Sequence, residues 1–257
     1  MANYVDVITK WKKHNICSIS KLEEVLNNFR VVFAYNSGVI ENPEIDYHNT
    51  RDIFEDGKVT NFSGNLKTLY EIQNQKECYD FLKEKIIARE PITENLIKDI
   101  HRKLTTGTYD EKRWDRGERP GEYKKHDYVI GKTEQGALPG EVGSEIRELC
   151  DELFEIPDKG ENILKAAAYL HCKFENIHAF ADGNGRVGRT LMNYFLMIHD
   201  MPPVVVYDES KNIYYKALEE YDSTGKIANM VDYLKDSMEK TWDIGKIRES
   251  SLEQFLE

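Results

Sequence analysis

Between His178 and Arg189 the chain reads HAFADGNGRVGR, and these twelve residues combine an imidazole, a carboxylate, a Gly-Asn-Gly turn and two guanidiniums. A glycine-flanked turn can aim several backbone N–H groups in one direction and so form an anion nest. A helix starting there adds its free N-terminal amides and its dipole, both of which attract phosphate. The next stretch, Thr190 to Ile198 (TLMNYFLMI), is apolar nearly all round, as in a helix buried in the middle of a domain. Arg186 and Arg189 are three apart, so on a helix they share one face. The pattern predicts a polyphosphate site with a base and a metal ligand beside it.

Most of the elements that must hold this loop read as helices. Ile92 to Leu104 (ITENLIKDIHRKL) offers Thr93 as a cap and apolar residues at Leu96, Ile97, Ile100 and Leu104. Ser144 to Leu153 repeats the pattern through Ile146 and Leu149, and Ile163 to Phe174 through Ala166, Ala167 and Leu170. Residues 18–34 and 64–88 also read as helices, as does the tail from Thr241 to Glu257. The exception is Lys112 to Gly140, where Tyr123, Tyr128, Val129 and Ile130 are strand-formers and Gly131 and Gly136 mark turns. This stretch predicts a β-hairpin on a helical body, and Pro203 to Tyr207 a second short extended piece.

Bulk properties exclude several classes. With 257 residues, 40% hydrophobic and 32% charged, the chain has the make-up of a soluble globular protein with a sizeable core. A net charge of −11 leaves no basic field for nucleic acid or an anionic membrane, so neither is expected as a partner. Cys17, Cys78, Cys150 and Cys172 are widely spaced and read as reduced thiols of a cytoplasmic protein. The N-terminus lacks the apolar core of a signal peptide, and the longest apolar run falls far short of a membrane span.

Two other nucleotide motifs fail on context. Gly183, Gly185 and Gly188 satisfy G-x-G-x-x-G, but a dinucleotide fold needs a buried strand running into the first glycine. Here NIHAFAD follows the helical LKAAAYLHCKF, and no strand-helix alternation predicts a parallel sheet. Gly131-Lys132-Thr133 looks like the end of a P-loop, but the required first glycine is His126.

The loop instead resembles the Fic-domain signature H-x-F-x-[D/E]-G-N-G-R-x-x-R at every specified position, with Ala179 where proline is usual. Ile100 to Leu104 (IHRKL), Arg119 to Lys124 (RPGEYK) and the VVVYDESKNIYYKALEEY stretch look like flanking elements of the same family. The resemblance implies an all-α fold with a small β-hairpin flap next to the active site. It also implies an N-terminal helical region over 1–60, a Fic domain over 61–240 and a helical tail over 241–257.

The implied activity is protein adenylylation, the transfer of AMP from ATP to a Tyr, Ser or Thr hydroxyl of a target protein or of the chain itself. In that reading His178 is the base and Asp182 holds Mg²⁺ with the phosphates. Gly183, Asn184 and Gly185 cradle the α- and β-phosphates, while Arg186 and Arg189 take the β- and γ-phosphates. The flap at Tyr128, Val129, Ile130 and Gly131 aligns the target by edge pairing. The same residues also admit plainer roles: a loop histidine, an N-cap at Asp182, and arginines in ion pairs. Phe180 reads as a core anchor, and His101 and His171 as packed. Tyr214, Tyr215 and Asn193 lie equally well in the core or near the adenosine.

Ser37 to Asn42 reads SGVIEN, similar to the family's inhibitory motif [S/T]-x-x-x-E-[G/N]. The resemblance implies that Glu41 pairs with Arg189 where a γ-phosphate belongs, with Ser37 bracing the pair from the same helical face and Asn42 closing the motif. The plain alternative is a helix end before Pro43 with Glu41 solvated. Gly38 within the helix suggests a brake that is not rigid. Another nucleotide donor, removal of AMP, a nucleotide-sensing module without chemistry, and a homo-oligomer all remain open.

Overall fold

The computed structural model describes residues 3–59, 62–128, 136–154 and 160–242, and all regular structure among them is helical. At its centre is α9 (Asn184–Ile198), which packs against α8 (Gly160–Ile177), α5 (Glu94–Thr105), α4 (Leu66–Ala88) and α2 (Ile19–Val39). The all-round apolar sequence of α9 fits this place. Val187, Leu191, Met192, Tyr194 and Leu196 are completely buried. Burying each such side chain contributes about 1.5–3 kcal/mol, and Leu191→Ala is expected to cost about 2–5 kcal/mol.

The surrounding helices follow their sequence periods. Thr93 caps α5 by accepting from the Leu96 N–H at 3.2 Å, and Leu96, Ile97, Ile100 and Leu104 form its buried face. α7 (Val142–Phe154) buries Val142, Ile146 and Leu149. Ser18 caps α2 through the Lys21 N–H at 3.2 Å. α1 (Tyr4–Lys13) sends Val7 and Trp11 into the same core as α9, so the N-terminal helices and the central helix share one apolar interior. A second small cluster of Val31, Ala34, Ile45, Ile53, Phe54 and Ile72 lies between α2, α3 (Tyr47–Asp56) and α4. None of the helices among the described residues is long and apolar enough to cross a membrane.

One expectation is corrected in part. The stretch expected as a hairpin opens as a short helix, α6 (Glu111–Asp115). Asp110 caps it by accepting from the Arg113 N–H at 2.9 Å, which favours a helical turn over Glu111–Asp115. No strand occurs among the described residues; Val129, Ile130 and Gly131 lie outside them and Tyr128 within them. Pro203 to Tyr207 is irregular but buried, and side chains take the place of a strand partner. Asn193 both accepts from Val204 N–H and donates to Val204 C=O, each at 2.8 Å, and Trp242 Nε1 donates to Pro203 C=O at 2.7 Å. α10 (Lys211–Thr224) and α11 (Ala228–Trp242) follow, so the tail helix expected from Thr241 coincides with the end of α11 for two residues and otherwise lies outside the described residues.

Candidate active site

The loop between α8 and α9 is fixed from several sides. His178 closes α8 in the left-handed region (φ 50°), with its N–H donating to Phe174 C=O at 3.2 Å. Two backbone bonds clamp its neighbours: Ala137 N–H to Ile177 C=O and Lys124 N–H to Ala179 C=O, both 3.0 Å. Phe180 is fully buried and stacks on His101 with ring centroids 3.7 Å apart. Gly121 N–H donates to Nδ1 of His101 at 2.7 Å, which leaves Nε2 protonated and donating to the Asp182 carbonyl at 3.0 Å. Burial drives His101 down to about 3, so it serves as a neutral strut.

Asn184 acts within the loop itself. It accepts from Phe180 N–H at 2.9 Å and donates to Phe180 C=O at 2.7 Å. Its amide is therefore committed to the loop, and only its backbone faces the helix start. Gly183 caps α9 with φ 84°, where an added Cβ would meet Thr105 Cγ2 at 2.7 Å. Asp182 does not cap the helix. Its carboxylate lies 3.2 Å from Arg113 and 3.8 Å from Arg186.

The two loop arginines are both buried. Arg186 reaches Glu71 at 3.4 Å. Arg189 donates through Nε to Ser37 Oγ at 3.1 Å and through Nη2 to Ser37 C=O at 2.9 Å and Glu41 Oε1 at 2.8 Å. Burial disfavours its charge, but Glu41, Tyr214 and Glu175 outweigh that and hold it above the usual guanidinium range. A Cβ on Gly185 would run into the Glu41 carboxylate, so that carboxylate sits directly over the first turn of α9. Glu41 follows the end of α2, which stops at Val39; its N–H continues the turn to Gly38 C=O at 3.0 Å. Gly38 has a packing reason: a Cβ there would lie 2.7 Å from Ile45 Cδ1. Asn42 donates to Glu71 Oε2 at 2.7 Å and to Thr68 Oγ1 at 3.0 Å.

A cavity of about 1090 Å³ opens beside these groups, with His178, Arg189, Gly185, Glu41 and Tyr215 on its walls. Burial first, and then the Lys124 ammonium, push the His178 imidazole down to about 4, so it is neutral near pH 7 with a ring nitrogen lone pair free of a proton. Tyr214 is buried with its hydroxyl 2.9 Å from His171 Nε2, Tyr215 presents a half-exposed ring, and Asn193 is spent on Val204. Among the described residues no group of three or more His, Cys, Asp or Glu side chains forms a metal cluster. Asp182 is a single carboxylate just before the N-terminus of α9.

Two acidic residues of the site were not singled out from sequence. Glu175 lines the cavity one turn after His171, and burial lifts its carboxyl to about 8. Glu71 interrupts the buried stripe of α4 that runs through Gln75, Cys78 and Leu82. A charged residue in register with a buried stripe is the signal that marks both positions.

Residues 91–196 match the model of the Fic/DOC family. A protein adenylyltransferase Fic of Drosophila persimilis is 29% identical over 228 residues, which are 86% of this chain and 42% of the relative. The chain thus spans less than half the length of that curated relative. A Fic domain containing signaling protein from Bacteroides thetaiotaomicron shares the fold with a TM-score of 0.78 at 24% identity, over 93% of both chains. Fic-1 from C. elegans does so with a TM-score of 0.75 at 21% identity, over 96% of this chain and 72% of the other.

Proposed function

From the premise that this chain carries a Fic domain, matched over residues 91–196, we propose that it is a protein adenylyltransferase held inactive by Glu41. The observation that carries the reading is the common wall of one cavity, where a neutral imidazole, His178, and a buried cation, Arg189, flank the N-terminus of α9. A triphosphate lying along that N-terminus meets the free amides of its first turn, with Arg186 near the β-phosphate and Arg189 near the γ-phosphate.

The target hydroxyl then gives its proton to His178 as its oxygen bonds to the α-phosphorus. The bond between that phosphorus and the oxygen bridging to the β-phosphorus breaks, and pyrophosphate departs with the electron pair. An arriving triphosphate brings negative charge toward His178, which raises its affinity for the proton from the low value set by burial. Asp182 suits Mg²⁺, since that ion needs only one or two protein carboxylates when phosphate oxygens complete its shell. Bound there, the ion would neutralise charge on the phosphates and leaving pyrophosphate. Asp182 would hold it in place of the present Arg113 contact.

Glu41 is the brake in this reading. Its carboxylate pairs with Arg189 over Gly185, on ground a γ-phosphate needs, and Ser37 braces the same guanidinium. We assign residues 1–60 to the regulatory region, 61–240 to the catalytic domain and 241–257 to a tail. We also assign Tyr128 to Gly131 to a target-aligning hairpin. The backbone clamps from Lys124 and Ala137 support it, because they set both flanks of that stretch beside His178. The partners are ATP and a protein bearing an exposed hydroxyl, the chain itself included, and four unbridged cysteines suit the cytoplasm.

The test is intact-mass measurement of the Glu41→Gly protein after incubation with Mg²⁺ and ATP. The reading expects an added AMP on the chain and matching release of pyrophosphate. If neither the chain nor proteins added from a lysate gain AMP while ATP binds, a nucleotide-sensing role replaces transfer.

A further inference from the structure

Arg186 is as deeply buried as Arg189 but is held more loosely. Its Nη1 stands 3.4 Å from Glu71 Oε1, its Nη2 stands 3.8 Å from Asp182 Oδ1, and its Nε has no acceptor. Glu71, also buried, shares its carboxylate among Arg186, Asn42 and Lys67, whose Nζ lies 3.8 Å from Oε1. Oε1 faces Arg186, and Oε2 accepts the 2.7 Å bond from Asn42. The adjacent residues Glu41 and Asn42 therefore reach the two arginines by separate routes, one directly and one through Glu71.

We propose that Glu71 is a positioning residue for Arg186, and that Asn42 keeps it so by occupying the second carboxylate oxygen. SGVIEN then has two opposed tasks: Glu41 blocks Arg189, while Asn42 keeps Arg186 available for the nucleotide. A free carboxylate next to a guanidinium tends to close on it as a bidentate fork. The bond from Asn42 holds Oε2 turned away, so that only Oε1 faces Arg186, and Arg186 keeps donors for a phosphate. Exposure divides the tasks in the same way. The Glu41 side chain is 38% exposed and can swing out, whereas Asn42 is bonded to Thr68 and Glu71 of α4 and anchors the segment as it does. Asn42 thus supports binding of the β-phosphate despite lying in the inhibitory segment.

This inference rests on the reading of the α9 N-terminus as a phosphate site, and the experiment separates the two. Isothermal titration of ADP and AMP, each with Mg²⁺, is carried out on the full chain bearing Glu41→Gly. In that background Asn42→Ala and Glu71→Gln should each weaken ADP by about threefold or more and leave AMP within about twofold. A merely structural defect would weaken both nucleotides together. The double variant should be no weaker than the poorer single one, because both changes act on one chain of contacts. Independent, additive losses, or equal losses for AMP and ADP, overturn the proposal while leaving the phosphate site intact if Arg186→Ala still weakens ADP selectively. If Arg186→Ala leaves ADP binding unchanged, the phosphate reading falls and the proposal with it. Glu71→Gln preserves side-chain size, and its urea midpoint reports whether the fold is kept.

Discussion

Gly185 lacks a side chain where the carboxylate of Glu41 takes up the space, since a Cβ at that position would collide with its Oε1. The carboxylate is an anion over the first turn of a helix, bonded at 2.8 Å to a buried arginine, the place the proposed function gives to a phosphate. A bare backbone is needed there by the Glu41 carboxylate, and would equally be needed by the anion that replaces it. In the proposed reading Glu41 and the substrate thus compete for one set of donors, and this gives the first expectation its form.

Glu41→Gly should raise incorporation of label from α-labelled ATP by about tenfold or more, corresponding to roughly 1.4 kcal/mol of competition removed. Glu41→Gln keeps the size but loses the charge, and should fall between the parent and the glycine variant. Quantitative labelling at fixed Mg²⁺ and ATP checks the order. Equal labelling of all three proteins would mean that the carboxylate does not compete.

His178→Ala in the Glu41→Gly background should reduce labelling to the uncatalysed level and change the ATP dissociation constant by no more than about twofold. The imidazole is assigned to proton transfer, and the phosphates are assigned to α9 and its arginines. Titration calorimetry beside the labelling assay separates the two. Retained labelling would remove His178 from the role of base.

Much of this site was legible in the sequence because its groups are local. The spacing of Arg186 and Arg189, the apolar run that became α9 and the Thr93 cap all depend on contacts within a few residues. SGVIEN was found by resemblance, and its bond to Arg189 spans 148 positions, which no local period encodes. Glu71 is of the same kind, since its meaning comes from Asn42 and Arg186 on other elements. Asn184 shows a different limit. Its type suits either a phosphate cradle or a loop staple, and only geometry reveals that both ends of its amide close on Phe180. At the start of the stretch expected as a hairpin, a cap at Asp110 sets a short helix over Glu111–Asp115.

Asn184→Ala should destabilise the protein although the side chain is assigned no contact with a nucleotide. It leaves the buried N–H and C=O of Phe180 without those partners, at a cost of about 1–3 kcal/mol each when unsatisfied. For a chain of this size about 1 kcal/mol moves the melting temperature by roughly 2–4 °C. Calorimetry should show a fall of several degrees, together with weaker nucleotide binding because the nest loses its shape. An unchanged melting temperature would show that the loop is braced without Asn184.

Acid should unfold the protein earlier than carboxylate titration alone would. Burial holds His101 and His171 neutral, with both pushed down to about 3, and His178 down to about 4. In the unfolded chain each takes a proton near 6.5, so the unfolded state binds more protons as pH falls below that value. Their stabilisation is full above about 6.5 and is lost as pH falls toward 3 to 4. Glu175 opposes them. Burial raises its carboxyl to about 8 against an ordinary 4.5, so its contribution is full below 4.5 and declines as pH rises through 8. Three histidines against one glutamate make the net change a loss on acidification between pH 6.5 and 4.5. Each proton taken up contributes a limiting slope of about 1.4 kcal/mol per pH unit. Urea unfolding at several pH values measures the slope for the parent and for His171→Gln, which removes one of these protons. The variant should be less stable at pH 7.5, because it disturbs the contact with Tyr214, yet show a shallower fall below pH 6.5. An identical slope in the two proteins would exclude His171 as a source of the acid sensitivity.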